Sequence, residues 1–123
     1  MPRFPGCENR QLTNIEKEEC ANNKMMEFFY KNLKYPKEAQ VKGIVGTVKV
    51  SFIIEKDGST SNEKIINGLS KECNEEALRV VRLMRLQGIR WSLQRARVRP
   101  VSIRLAIELE FSQEMIKRKE NQH

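Results

Sequence analysis

Histidine is nearly missing from these 123 residues, with His123 alone at the end, and aromatic residues make up only 7%. One terminal imidazole leaves no internal histidine to serve as a general base or metal ligand. Glycine is sparse and forms no phosphate-cradling loop, and no GxSxG element is present. Of the three cysteines, Cys7, Cys20 and Cys73, none pairs in a CxxC or zinc spacing, and zinc needs four nitrogen or sulfur ligands. No stretch approaches the roughly 18–20 apolar residues of a membrane helix, and no secretory signal opens the chain. These absences leave no convergent catalytic constellation, and no metal or cofactor is expected.

Acidic residues are also missing from one long stretch. Between Arg79 and Arg104 lie Arg82, Arg85, Arg90, Arg95, Arg97 and Arg99 without an aspartate or glutamate. The net charge of +7 is therefore concentrated there. Such a stretch suits an anionic partner (nucleic acid, anionic lipid, cell-wall polymer or an acidic protein segment), or it is a solvated face. Against nucleic acid, Trp91 is the one stacking side chain in the basic run.

What is present reads as one domain. Hydrophobic content of 39% with 32% charged residues fits a soluble globular fold. Residues 1–23, with two prolines and many polar groups, are expected to be an irregular N-terminal segment with a helical turn around Ile15 to Cys20. Met26, Phe29, Tyr30 and Leu33 then mark one helical stripe, read as core packing. Pro36 suits the start of a second short helix, with Tyr35 extended before it and Gly43 after it.

From Gly46 the period changes to two. Val48, Val50, Phe52 and Ile54 share one face, and Asp57-Gly58 favours a type I′ hairpin into a return strand over residues 59–67. Asn74 is the expected cap of the next helix, whose apolar stripe is Cys73, Ala77, Val80, Val81 and Met84. Last, Val101, Ile103, Leu105, Ile107, Leu109 and Phe111 alternate with polar or small residues over eleven positions, long for a strand. The order helix-strand-strand-helix-strand predicts an α+β two-layer sandwich, a three-stranded antiparallel sheet with two main helices on one face. The domain spans residues 24–111, and residues 112–123 form a polar tail. Cys7 and Cys20 either form a disulfide in an oxidising compartment or stay free, whereas Cys73 reads as a small core residue. Such a sheet has two edges, and an edge captures extended peptides by strand addition. The bland alternatives are self-pairing into a homodimer, or an edge blunted by Arg104, Glu108 and Glu110.

The stretch "YPKEAQVKGIVGTVKVSFIIEKDGS" resembles the signature of the TonB C-terminal domain family. "CNEEALRVVRLM" resembles that family's second-helix motif, and Trp91 followed by Pro100-Val101 echoes the approach to its last strand. The likeness covers residues 35–111, with a loop before the last strand that is longer and more basic than the family pattern. It implies a periplasmic domain of an energy transducer, tethered to the inner membrane through an anchor that meets ExbB and ExbD. It also implies that the TonB box of an outer-membrane transporter is added as a strand beside the last strand. By position, the implied partner-binding residues are Asn32, Tyr35, Pro36, Val101, Ser102, Ile103, Arg104, Leu105, Ala106 and Ile107. A sensory or cell-wall-binding module with the same fold is the alternative expectation.

Overall fold

A computed structural model of the chain describes residues 3–7, 11–92 and 102–112. Six elements follow in order: α1 (Asn14–Asn32), α2 (Lys37–Val41), β1 (Gly46–Ile54), β2 (Thr60–Asn67), α3 (Lys71–Leu86) and β3 (Ile103–Phe111). The strands form one antiparallel sheet in the order β2-β1-β3, with the helices on one side, as the expected two-layer sandwich requires.

Helix α1 begins ten residues before residue 24, so the helical turn expected around Ile15 to Cys20 belongs to one continuous helix, and the stretch expected to be irregular over residues 1–23 is helical from Asn14 onward. Its start is a capping box. The Glu16 amide donates to Thr13 Oγ1 at 3.1 Å, and the Thr13 amide donates to Glu16 Oε1 at 3.2 Å. Along its 19 residues only Ala21 and Phe29 are buried, so the first half carries little apolar periodicity to betray it.

Helix α3 starts at a different cap from the one expected. Ser70 is the N-cap, its Oγ accepting from the Cys73 amide at 3.2 Å. Asn74 instead accepts the Leu69 amide at 2.9 Å, closing the turn that leads in from β2. The expected stripe is fully buried: Cys73, Ala77, Val80, Val81 and Met84 face the sheet. They meet Val48, Val50, Phe52 and Ile54 of β1 and Leu109 and Phe111 of β3. Removing a large member such as Phe52 from this close-packed layer typically costs about 3–5 kcal/mol.

The β1–β2 connection is not a type I′ turn. Glu55 O accepts from the Gly58 amide at 2.9 Å, and the Glu55 amide donates to Ser59 O at 2.7 Å. The loop is therefore three residues, Lys56 to Gly58, and only Gly58 is left-handed, with φ 87°. A residue in that conformation after a type I turn makes the bulged three-residue hairpin. Trp91 lies directly over Gly58. Its amide donates to Gly58 O at 2.8 Å, and a β-carbon on Gly58 would stand 2.5 Å from the Trp91 carbonyl oxygen.

The N-terminal segment is strapped down at both ends. Arg3 and Ser92 exchange two backbone bonds of 2.8 and 2.7 Å, Phe4 packs edge-on against Trp91, and a disulfide joins Cys7 to Cys20 on α1. Closing a loop of that length stabilises a fold by about 3 kcal/mol in the chain-entropy account.

Candidate functional site

The exposed edges of the sheet follow from the hydrogen-bond phase of β1. The Glu55 amide and carbonyl both face the β2 side, and β1 carries no extra residue. Backbone groups alternate sides every residue, so Thr47, Lys49, Ser51 and Ile53 bond toward β2. Gly46, Val48, Val50, Phe52 and Ile54 then bond toward β3, opposite Phe111, Leu109, Ile107, Leu105 and Ile103 in an unbroken register. The N–H and C=O groups of the intervening residues, Arg104, Ala106, Glu108 and Glu110, therefore point outward.

Among the described residues, one member of that outward row has a partner. The Glu110 amide donates to the Tyr30 hydroxyl at 3.1 Å. Arg104, Ala106 and Glu108 present three donors and three acceptors along about 13 Å of strand, at 3.3 Å per residue. Their side chains are exposed on the sheet face opposite the helices. Facing the helices, Ile103 and Leu105 are half-buried, and Ile107 is 9% exposed.

The sequence-nominated residues fall into two groups. Ser102 to Ile107 lie together along β3 and just before it, whereas Val101 is outside the described residues. The corner residues sit at the far end of the same strand. Tyr35 is buried with its ring 5.8 Å from that of Phe111, and its hydroxyl donates to the Ile44 carbonyl. Burial, with a smaller push from Cys73, lifts its hydroxyl above the ordinary tyrosine pKa, so it stays a neutral donor. Asn32 turns back on its own helix, its Nδ2 donating to Phe28 O at 2.7 Å, and Pro36 caps α2. The corner thus shapes one end of the edge through Tyr35, while Asn32 and Pro36 are used in building the corner itself.

That corner is bolted to α3. Arg79 Nη2 donates to Asn32 O at 2.7 Å, and the Glu76 carboxylate takes the Lys34 amide at 2.5 Å and Arg79 Nε at 2.7 Å. Tyr30 belongs to the same helix end, and its place in the sequence stripe marks it as a core residue. Its stripe position is correct, and its ring is half-buried against the core. Only its hydroxyl reaches the strand edge, and a phenol ring at an apolar position is the sole signal the sequence carried for that.

Among the described residues no cluster of histidine, cysteine or acidic side chains can hold a metal ion. Arg95, Arg97 and Arg99 lie outside the described residues. The fold and the edge together define a small α+β domain that offers main-chain groups along its terminal strand.

The chain belongs to the family described as Gram-negative bacterial TonB protein C-terminal, whose model matches residues 31–112. Domains of this family are periplasmic, non-catalytic interaction domains of energy transducers that work with outer-membrane transporters. Two solution structures of the Helicobacter pylori TonB C-terminal domain are similar. The shorter is 27% identical, with 74% of this chain and 91% of that chain covered and a TM-score of 0.56. The longer is 23% identical, with 88% and 94% covered and a TM-score of 0.59, a likeness of fold. No curated protein matches the chain in sequence.

Proposed function

We propose that this domain is the periplasmic docking end of a TonB-type energy transducer. The outer edge of β3 takes the extended TonB box of an outer-membrane transporter as an added fourth strand. The single observation that carries this reading is the outward row of Arg104, Ala106 and Glu108, unpartnered among the described residues and in unbroken register with β1 behind it. Each new backbone bond adds about 1 kcal/mol net, and association costs offset several of them, so a weak, readily released contact is expected. Force on the guest strand is then shared along the row and passed through β1 into the core.

Among the described residues no helix is long and apolar enough to cross a membrane. Contact with ExbB and ExbD, and tethering to the inner membrane, are accordingly assigned to an anchor rather than to this fold. The test is a cysteine cross-link. Ala106→Cys should form a disulfide with a cysteine placed in the transporter's box, and Lys64→Cys on β2 should not. Equal cross-linking at both positions would contradict the reading.

One observation favours a second occupant of the same edge. Antiparallel self-pairing centred on Ala106 would set Arg104 of one copy opposite Glu108 of the other, a favourable cross-strand pair. Sedimentation across protein concentrations distinguishes a homodimer from a free edge.

A further inference from the structure

Among the described residues, Tyr30 stands at the one point where the outward row of β3 is already occupied. Its hydroxyl accepts the Glu110 amide at 3.1 Å, so the last outward donor before Phe111 is taken within the domain. The ring is not free to swing away. It is half-buried against the core, and the end of α1 that bears it is fixed by the Arg79 bond to Asn32 O and the Glu76 bond to the Lys34 amide. The neighbouring Tyr35 ring against Phe111 closes the same end of the strand.

Resting on the docking reading above, we propose that Tyr30 is a register stop: it ends strand addition at Glu108 and so fixes which residues of a transporter segment lie opposite Arg104, Ala106 and Glu108. A strand has a side-chain period of two, so a slip of one residue would turn every guest side chain to the wrong face. An edge of identical backbone groups has no register of its own. A fixed end supplies one. The guest this selects is short and extended. Its middle residue lies over Ala106, the smallest side chain of the row, with Arg104 on one side and Glu108 on the other.

The test uses the full chain, isotope-labelled, with a synthetic peptide copying the TonB box of a transporter from the same organism. Tyr30→Phe removes only the hydroxyl and keeps the ring in place. In the unsubstituted protein the peptide should shift the amides of Arg104, Ala106 and Glu108 and leave Glu110 unmoved. In Tyr30→Phe the Glu110 amide should join the shifting set, and the peptide should bind about fivefold tighter, the worth of one added backbone bond. If Glu110 moves together with Ala106 in the unsubstituted protein, or Tyr30→Phe changes neither affinity nor the Glu110 response, the register stop is wrong and docking survives. If no amide of the row moves in either protein, docking fails and the stop fails with it.

Discussion

Strand β3 runs nine residues beside β1 without a break in register, whereas β2 meets β1 through two irregularities and carries Asn62 at φ 51°. Both irregularities place the extra residue on β2, so its outer backbone is bent and its row of donors and acceptors is interrupted. Bulges and left-handed residues are the usual means of spoiling an edge for pairing. Arg85 further ties β2 to α3 through Glu63 at 2.7 Å. One edge is thus closed to strand addition by its own geometry. The other keeps an unbroken register, and among the described residues its outward row is partnered only at the Glu110 amide. The asymmetry favours the β3 edge over the β2 edge for the strand addition proposed above.

The largest expected effect comes from unfastening the β2 side. Gly58→Val combines a left-handed φ with a β-carbon 2.5 Å from the Trp91 carbonyl oxygen. Strain of that kind, with the displacement of Trp91, should cost about 3 kcal/mol, read as a lowered urea midpoint. If β3 is the independent docking edge, residual folded protein should still bind the box peptide with unchanged affinity.

Next is Ala106→Pro. The Ala106 amide points outward, where proline is tolerated on an edge, so stability should fall by less than about 1 kcal/mol. Peptide affinity should fall tenfold or more, because one donor is lost and the ring stands in the path of the guest. Calorimetric titration and thermal melting together separate the two effects. A smaller change than that loss of affinity is expected from Asn62→Val, which places a β-branched side chain at φ 51° and should cost about 1 kcal/mol by urea titration. Peptide binding should be untouched if docking is confined to β3.

The smallest effect is in acid. The Ser59 hydroxyl and amide donate to Asp57 at 2.6 and 2.9 Å and hold its carboxyl below the usual aspartate value, with Arg90 adding a lesser pull. A lowered folded pKa means stability present above the ordinary value of 3.8 and lost as the pH falls through the lower folded value. Urea midpoints measured on either side of that window should show a slope that Asp57→Asn flattens.

Much of this was written plainly in the sequence. Alternation at Val48, Val50, Phe52 and Ile54, and again from Ile103 to Phe111, declared two strands because one face of each is sealed by helices. The Cys73–Met84 stripe declared α3 for the same reason. Elements with little burial were harder to see. The first half of α1 shows in the sequence only as a turn around Ile15 to Cys20, because Asn14 to Asn23 bury only Ala21, although Thr13 and Glu16 spell its capping box. The cap of α3 was misplaced because Ser70 and Asn74 are both good caps, and only the turn from β2 assigns Asn74 to the Leu69 amide. Asp57-Gly58 looked like a two-residue turn, but the pairing of Glu55 with Ser59 adds Lys56 to the loop. At the edge, Ile103 to Ile107 were legible as strand. Which amides face outward depends on the phase set at Glu55, and the role of Tyr30 depends on a contact 80 residues away in sequence.

The most direct measurement is amide hydrogen exchange of the whole chain with and without a saturating TonB-box peptide. Slowed exchange at Arg104, Ala106 and Glu108, with β2 amides unchanged, is the expected result. Protection that appears on β2, or that spares the row on β3 while the peptide is bound, would contradict docking at this edge.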